Sequence, residues 1–288
     1  MGHSSMNTPP KGFNLIWSKV PVIIRGILLG LLILMVGQLP TGLIFFNLQT
    51  TPSIPWFLPI IVIWLWLFWR YLNGWGGPAS TAQIRNQNLR AHKISARVWF
   101  WSFLAGGIAL MSVLGLTFFI SHHFELPEEA YEAPFDVTSF PSWTIFSFFV
   151  SIAITAGVVE EAAFRGYMLS VIQARYGWQW GIVITAIAFY VVHLSHAYAT
   201  IVFLPFFLIY SILHGYLVYL TRSILPSVLL HALGDVTILP MQYGILKNVG
   251  EIPFIHNGWM SLIMALVAVP LFYNLLKIAR EERAIQAD

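Results

Sequence analysis

Apolar stretches of spanning length recur eight times in this chain, at about 22–46, 54–72, 98–121, 143–175, 178–197, 200–221, 224–243 and 258–276. A hydrocarbon core ~30 Å thick is crossed by roughly 20 residues of helix. No water inside it satisfies backbone N–H and C=O groups, so each stretch must close its own hydrogen bonds as a helix. The expected fold is therefore all-α, a polytopic integral membrane bundle of about eight transmembrane helices. Only 9% of the residues are charged, against about 25% in soluble domains, which excludes an ordinary soluble protein. No cysteine is present. That excludes disulfides, thiolate metal ligands, a cysteine nucleophile and C-terminal prenylation of this chain. Any chemistry must come from histidine, carboxylates, hydroxyls or arginine.

The formal charge of +3 reads as a marker of the cytoplasmic side, where Lys and Arg near span ends are retained, and no nucleic-acid partner is expected. The segment 70–97 holds Arg70, Arg85, Arg90, Lys93 and Arg97 with no acid, whereas 122–142 holds Glu125, Glu128, Glu129, Glu132 and Asp136 with no Lys or Arg. With both termini cytoplasmic, the basic residues outside the spans all fall on or near that side, Lys247 being the exception. The expected organisation is a cytoplasmic segment 1–20, one transmembrane domain 21–276 and a cytoplasmic tail 277–288, in a multi-pass protein of the cell membrane. The first stretch is too long for a signal-peptide core and lacks an evident cleavage site, so it is expected to stay attached. Met6 breaks the N-myristoylation pattern.

Ionisable residues inside spans are costly and mark function by default. They are Glu160, Glu161 and Arg165 in the fourth stretch, His193 and His196 in the fifth, His214 in the sixth, and His231 and Asp235 in the seventh. Left charged and unpaired, Glu160, Glu161, Arg165 and Asp235 would cost roughly 10 kcal/mol, as much as a whole domain's stability. They must be paired, wet or neutralised. Glu161 and Arg165, four apart with the acid first, share a helix face and read mainly as structure. Glu160, rotated by about 100°, points elsewhere and reads as chemistry. Small residues Ala153, Ala156 and Gly157 on the preceding turns let a neighbouring helix come close.

Depth adds a constraint. Gly177 is a natural helix stop, Glu160 lies 16 residues before Tyr176, and His193 lies 16 residues after Gly177. In an antiparallel hairpin the two should be level, able to reach one water or ion. His231 and Asp235, four apart, share a face. This pair can orient an imidazole, bind a metal together, or present polar groups to an anionic intermediate. His196 reads as an interfacial residue and His214 as an interhelical hydrogen-bonding one.

In order, the constellation is Glu160-Glu161-x-x-x-Arg165-Gly166, Phe189-x-x-x-His193 and His231-x-x-x-Asp235. It resembles the CAAX protease and bacteriocin-processing family of intramembrane endopeptidases, also called type II CAAX prenyl proteases or Abi proteins, over a core at about 143–240. The resemblance implies a helical bundle enclosing a polar cavity and hydrolysis of a peptide bond in a membrane-associated protein or peptide. It implies that Glu160 and His193 activate a water while His231 and Asp235 stabilise the oxyanion, with Glu161, Arg165 and Phe189 in support. The family pattern accepts Asn or Asp at 235. Ionised Asp cannot donate a hydrogen bond, so Asp235 would be protonated, orient His231 or ligate metal. Glu160, His193, His231 and Asp235 could also form an oxygen and nitrogen shell for Zn²⁺, so the cofactor is either none or zinc. A proton-coupled transporter is the rival from another class, but its ionisable residues would be expected in both halves. A membrane immunity protein without proteolysis is a third reading.

Overall fold

A computed structural model describes residues 13–125, 139–242 and 252–287. The acidic positions 128–136, Lys247 and the first twelve residues lie outside these. Among the described residues the chain is helical, without strands. A short α1 (Phe13–Lys19) precedes α2 (Val22–Gly37), which breaks before Pro40 and resumes as α3 (Thr41–Thr50). The Trp64 indole N–H donates to the Gly37 carbonyl at 3.1 Å, taking up one group that the break leaves free. Then come α4 (Phe57–Leu72), α5 (Ala82–Leu89) and α6 (Ala96–His123). The α7 helix (Ser142–Glu160) continues as a π-helical segment (Glu161–Met168) into α8 (Leu169–His193), which turns back at Gly177. The remaining elements are α9 (Leu204–Thr221), α10 (Leu225–Gln242), α11 (Pro253–His256) and α12 (Trp259–Ala287).

Five continuous helical runs are long and apolar enough to span a bilayer, and two shorter apolar helices, Phe57–Leu72 and Leu225–Pro240, accompany them. One of the five, Ser142–His193, is two antiparallel arms, because Gly177 sits at φ 82° and ψ 166°. A side chain rarely adopts that conformation, so glycine marks the reversal. Counted this way, the described helices form a polytopic bundle of long and shorter apolar helices. Outward faces carry exposed Ile63, Trp66, Ile187, Leu266 and Val269, the surface a lipid solvent accepts.

Hydrogen bonds identify the two ends. At one, Ser223 Oγ donates to the His92 carbonyl at 2.7 Å, Ser170 Oγ to Asn88 at 3.1 Å, and Arg97 pairs with Glu281 at 3.2 Å. This basic end gathers the α4–α6 connection, the Gly177 reversal, the α9–α10 turn and the end of α12. At the other, Thr144 Oγ1 donates to the Pro52 carbonyl at 2.6 Å and a His123 ring nitrogen lies 3.1 Å from the His256 carbonyl.

Within the bundle α6 lies along α12, α8 along α9, and α7 along α10. The last contact positions the site. A Cβ on Gly157 would come within 2.8 Å of the Val228 carbonyl and 3.0 Å of the Ala232 amide. Ala153 and Ala156 are buried on the same helix. The absent side chain lets the α7 and α10 backbones touch, which brings the residues following Gly157 to the face of α10 that carries His231.

Candidate active site

The π-helical segment begins where α7 delivers its two carboxylates, and all eight of its residues are buried. Such segments recur at functional sites because the altered hydrogen-bond register re-aims side chains. Here Glu160 and Glu161 diverge into separate surroundings, one a cavity and the other the packed interior.

Glu161 is fully buried and forms the hub of a polar network. Its Oε1 accepts from Arg165 Nη1 and from His231 Nδ1, both at 2.8 Å, and its Oε2 accepts from Ser227 Oγ at 2.6 Å. Ser227, having donated its proton, accepts from His214 Nδ1 at 2.7 Å. Arg165 Nη2 reaches the Ser211 carbonyl at 3.3 Å, and its guanidinium lies 4.7 Å from the Phe189 ring centre. A buried carboxylate is tolerable only with several donors around it, and Glu161 has three from α10 and the π segment. The network fixes the tautomer of His231: Nδ1–H is committed to Glu161, and Nε2 points into the cavity.

Glu160 faces that cavity. Its Oε2 lies 3.8 Å from His193 Nε2 and 3.7 Å from His231 Nε2, and Asp235 Oδ2 lies 3.5 Å from the same His231 nitrogen. The side chains of Glu160, His193 and His231 are 12%, 13% and 3% exposed, and Asp235 is 21% exposed. The sequence-predicted residues of three motifs are therefore gathered from α7, α8 and α10 at one place. The level placement of Glu160 and His193 follows from the Gly177 reversal.

His193 Nδ1 lies 2.7 Å from the Phe189 carbonyl. A carbonyl can only accept, so Nδ1 carries the proton and Nε2 presents its lone pair toward Glu160. The Phe189 ring packs 4.3 Å from the His193 ring and, through Arg165, links the second motif to the first.

The cavity has a volume of about 430 Å³, with Thr155, Phe207 and Tyr210 among its walls. It extends from Glu160 to Gln38 and Thr41, at the α2–α3 break, and to Ser195 and His196, beyond the end of α8. Its outer reach thus lies at the end of the bundle opposite the basic loops. His196 sits there, exposed, its ring stacked on Tyr198 at 5.3 Å. His214 is buried in the Glu161 network as an interhelical hydrogen-bonding residue. Ser227, Ser211 and Tyr210 carried no recognisable signal in sequence. A serine in an apolar helix ordinarily satisfies itself on its own backbone, and an aromatic ring there is ordinary core.

Around tetrahedral zinc, adjacent nitrogen and oxygen ligands stand about 3.4 Å apart. The separations here are 3.5 to 3.8 Å, and among the described residues no group of three or more such side chains converges on a metal position.

Residues 141–237 match a family model, the type II CAAX prenyl endopeptidase Rce1-like family. The matched stretch contains all three motifs and every cavity residue from Thr155 to Asp235. No curated protein and no solved structure matches the chain.

Proposed function

Taking residues 141–237 as an Rce1-like domain, of the family its motifs resemble, we propose that the protein is an intramembrane endopeptidase that hydrolyses a peptide bond by direct activation of water. The observation that carries this reading is the position of Glu160 Oε2, within 4 Å of His193 Nε2 and of His231 Nε2 at the wall of a cavity. A gap of 3.8 Å between Glu160 and His193 is too long for a direct hydrogen bond but lets one water bond to both.

In this mechanism Glu160 and the His193 Nε2 lone pair each accept a hydrogen bond from the water, and Glu160 takes the proton as the oxygen attacks the carbonyl carbon. His231, anchored through Nδ1–H to Glu161, carries a proton on Nε2 as well and donates a hydrogen bond through it to the developing oxyanion. Asp235, acceptor-only while ionised, holds the Nε2–H side of His231 in place. Protonated Glu160 then passes its proton to the leaving amine. The apolar and aromatic walls suit a membrane-associated peptide or protein.

The basic end is read as cytoplasmic, with both termini there, in the cell membrane. The cavity then faces away from the cytoplasm, and the substrate enters from the opposite side of the bilayer. The version in which Glu160, His193, His231 and Asp235 hold zinc differs in one measurable respect, the metal content of the active protein.

The test is cleavage of a membrane-anchored reporter peptide by purified Glu160→Gln and His193→Ala. Each is expected to lose roughly 10²–10⁴-fold in rate while keeping wild-type yield and thermal stability. Undiminished turnover in either folded variant overturns the assignment.

A further inference from the structure

A second polar cleft lies at the basic end, away from the Glu160 cavity, with a volume of about 540 Å³. Arg90 closes the C-terminus of α5 and Arg222 that of α9, and both line the cleft. Both sit in the left-handed region, at φ 57° and 56°, and they are the only non-glycine residues there among those described. That conformation costs an L-residue about 1–2 kcal/mol and is usually left to glycine or asparagine. A cation at a helix C-terminus recovers part of this cost, which accounts for either arginine alone. It does not account for the convergence of the two.

The two caps are joined: Ile224 N–H donates to the Arg90 carbonyl at 3.1 Å. No carboxylate pairs with either guanidinium among the described residues, where the ion pairs of arginine are those of Arg97 and Arg165. The charge of Arg222 also acts on Arg283 of α12, whose Nε is committed to its own helix at the Ala279 carbonyl. Burial, together with the like charge of Arg222, pushes the Arg90 guanidinium down to about 10. Like charges assembled without a counter-ion are unfavourable unless an anion joins them.

The remaining walls suit an oxyanion carried on a larger molecule. The Trp178 ring stacks on Tyr219 at 4.2 Å, and Gln87 and Gln173 supply amide donors. Guanidinium groups match phosphate oxygens in bidentate geometry. The cleft lies where the Gly177 reversal and the α9–α10 turn leave the apolar part of the bundle, the level at which basic pockets between spans meet headgroups.

We propose that the Arg90–Arg222 cleft is a binding site for a phosphate group, supplied by an anionic phospholipid headgroup or by a soluble phosphate. The site is independent of the proteolytic reading, since it shares no residue with the Glu160 cavity.

The experiment uses the delipidated full-length protein in detergent. Its melting temperature is read with phosphatidylglycerol, phosphatidylcholine or inorganic phosphate, for wild type, the double variant Arg90→Asn/Arg222→Asn and a Lys93→Gln control. Asparagine keeps the left-handed cap while removing the charge. Phosphatidylglycerol is expected to raise the wild-type and control midpoints by about 2–4 °C more than phosphatidylcholine does, and the double variant is expected to lose that difference. The same dependence with inorganic phosphate alone supports the site with a soluble source. Equal effects of the two lipids with no effect of phosphate, or a phosphatidylglycerol effect that survives in the double variant, overturns the proposal. Should the double variant fail to fold, native mass spectrometry of wild type decides. Retention of phosphatidylglycerol over phosphatidylcholine, displaced by inorganic phosphate, supports the site; no preferential retention and no phosphate adduct overturns it.

Discussion

The Glu161 network yields the sharpest quantitative prediction. Glu161 and Arg165 are both 0% exposed and pair at 2.8 Å. Replacing Arg165 with Met leaves the carboxylate with Ser227 and His231 as donors but removes the one partner that is charged in every protonation state. Breaking a buried pair from one side costs about 3–5 kcal/mol. Replacing Glu161 with Gln removes the negative charge facing the guanidinium to a similar effect, leaving it an amide oxygen, the Ser211 carbonyl at 3.3 Å and the Phe189 face. For a chain of this size each single change should lower the melting temperature by roughly 10 °C. The double variant Glu161→Gln/Arg165→Met removes both charges, so its loss should fall below the sum of the singles by at least about 2 kcal/mol. Thermal unfolding in detergent reads the stabilities, and peptide cleavage is read in parallel. Cleavage should stay low in the double variant even where stability returns, because His231 Nδ1 has lost its anionic acceptor. Additive stability losses, or wild-type cleavage in a double variant that unfolds normally, would refute the view that Glu161 is both ion partner and anchor of His231.

Gly157→Leu puts a side chain where a Cβ already meets the Val228 carbonyl at 2.8 Å. Backbone cannot yield cheaply, so a loss of about 1–3 kcal/mol with reduced cleavage is expected in the same two assays. Asp235→Asn should keep cleavage within about tenfold of wild type, since an amide can still hold His231 and can also donate to an oxyanion, whereas Asp235→Leu should lose roughly 10²-fold. Steady-state kinetics on the two variants checks this, and equal losses would remove Asp235 from its assigned role. Metal analysis of pure, active protein, with and without chelator, should give turnover at negligible zinc occupancy; activity that tracks one zinc per chain would replace water activation by Glu160 and His193 with the metal reading.

Sequence alone reached the helical, membrane-spanning class because hydrocarbon leaves a chain almost no alternative. Apolar length and self-satisfied hydrogen bonds are both properties of a local segment, readable without knowing its neighbours. It also singled out Glu160, His193, His231 and Asp235, since an ionisable group in an apolar span is conspicuous wherever the span packs. Helical spacing separated Glu160 from the Glu161–Arg165 pair, and the position of Gly177 placed Glu160 level with His193. Both inferences work because rise and rotation per residue are fixed by the backbone.

Only the tertiary structure decided what each group faces. The spacing of His231 and Asp235 offers Asp235 as a partner of that imidazole, yet the 2.8 Å bond to Nδ1 comes from Glu161, 70 residues away on another helix. Ser227 and His214 enter the same network across helix contacts that no local pattern encodes. The route of the cavity toward Gln38 and His196, and the meeting of Arg90 with Arg222 at two helix caps, likewise depend on how helices pack. Helix formation and membrane residence follow from short-range hydrogen bonding and transfer energy. Partner choice among buried polar groups follows from which backbones can approach, and in this bundle that turns on close contacts such as Gly157 against Val228 and Ala232.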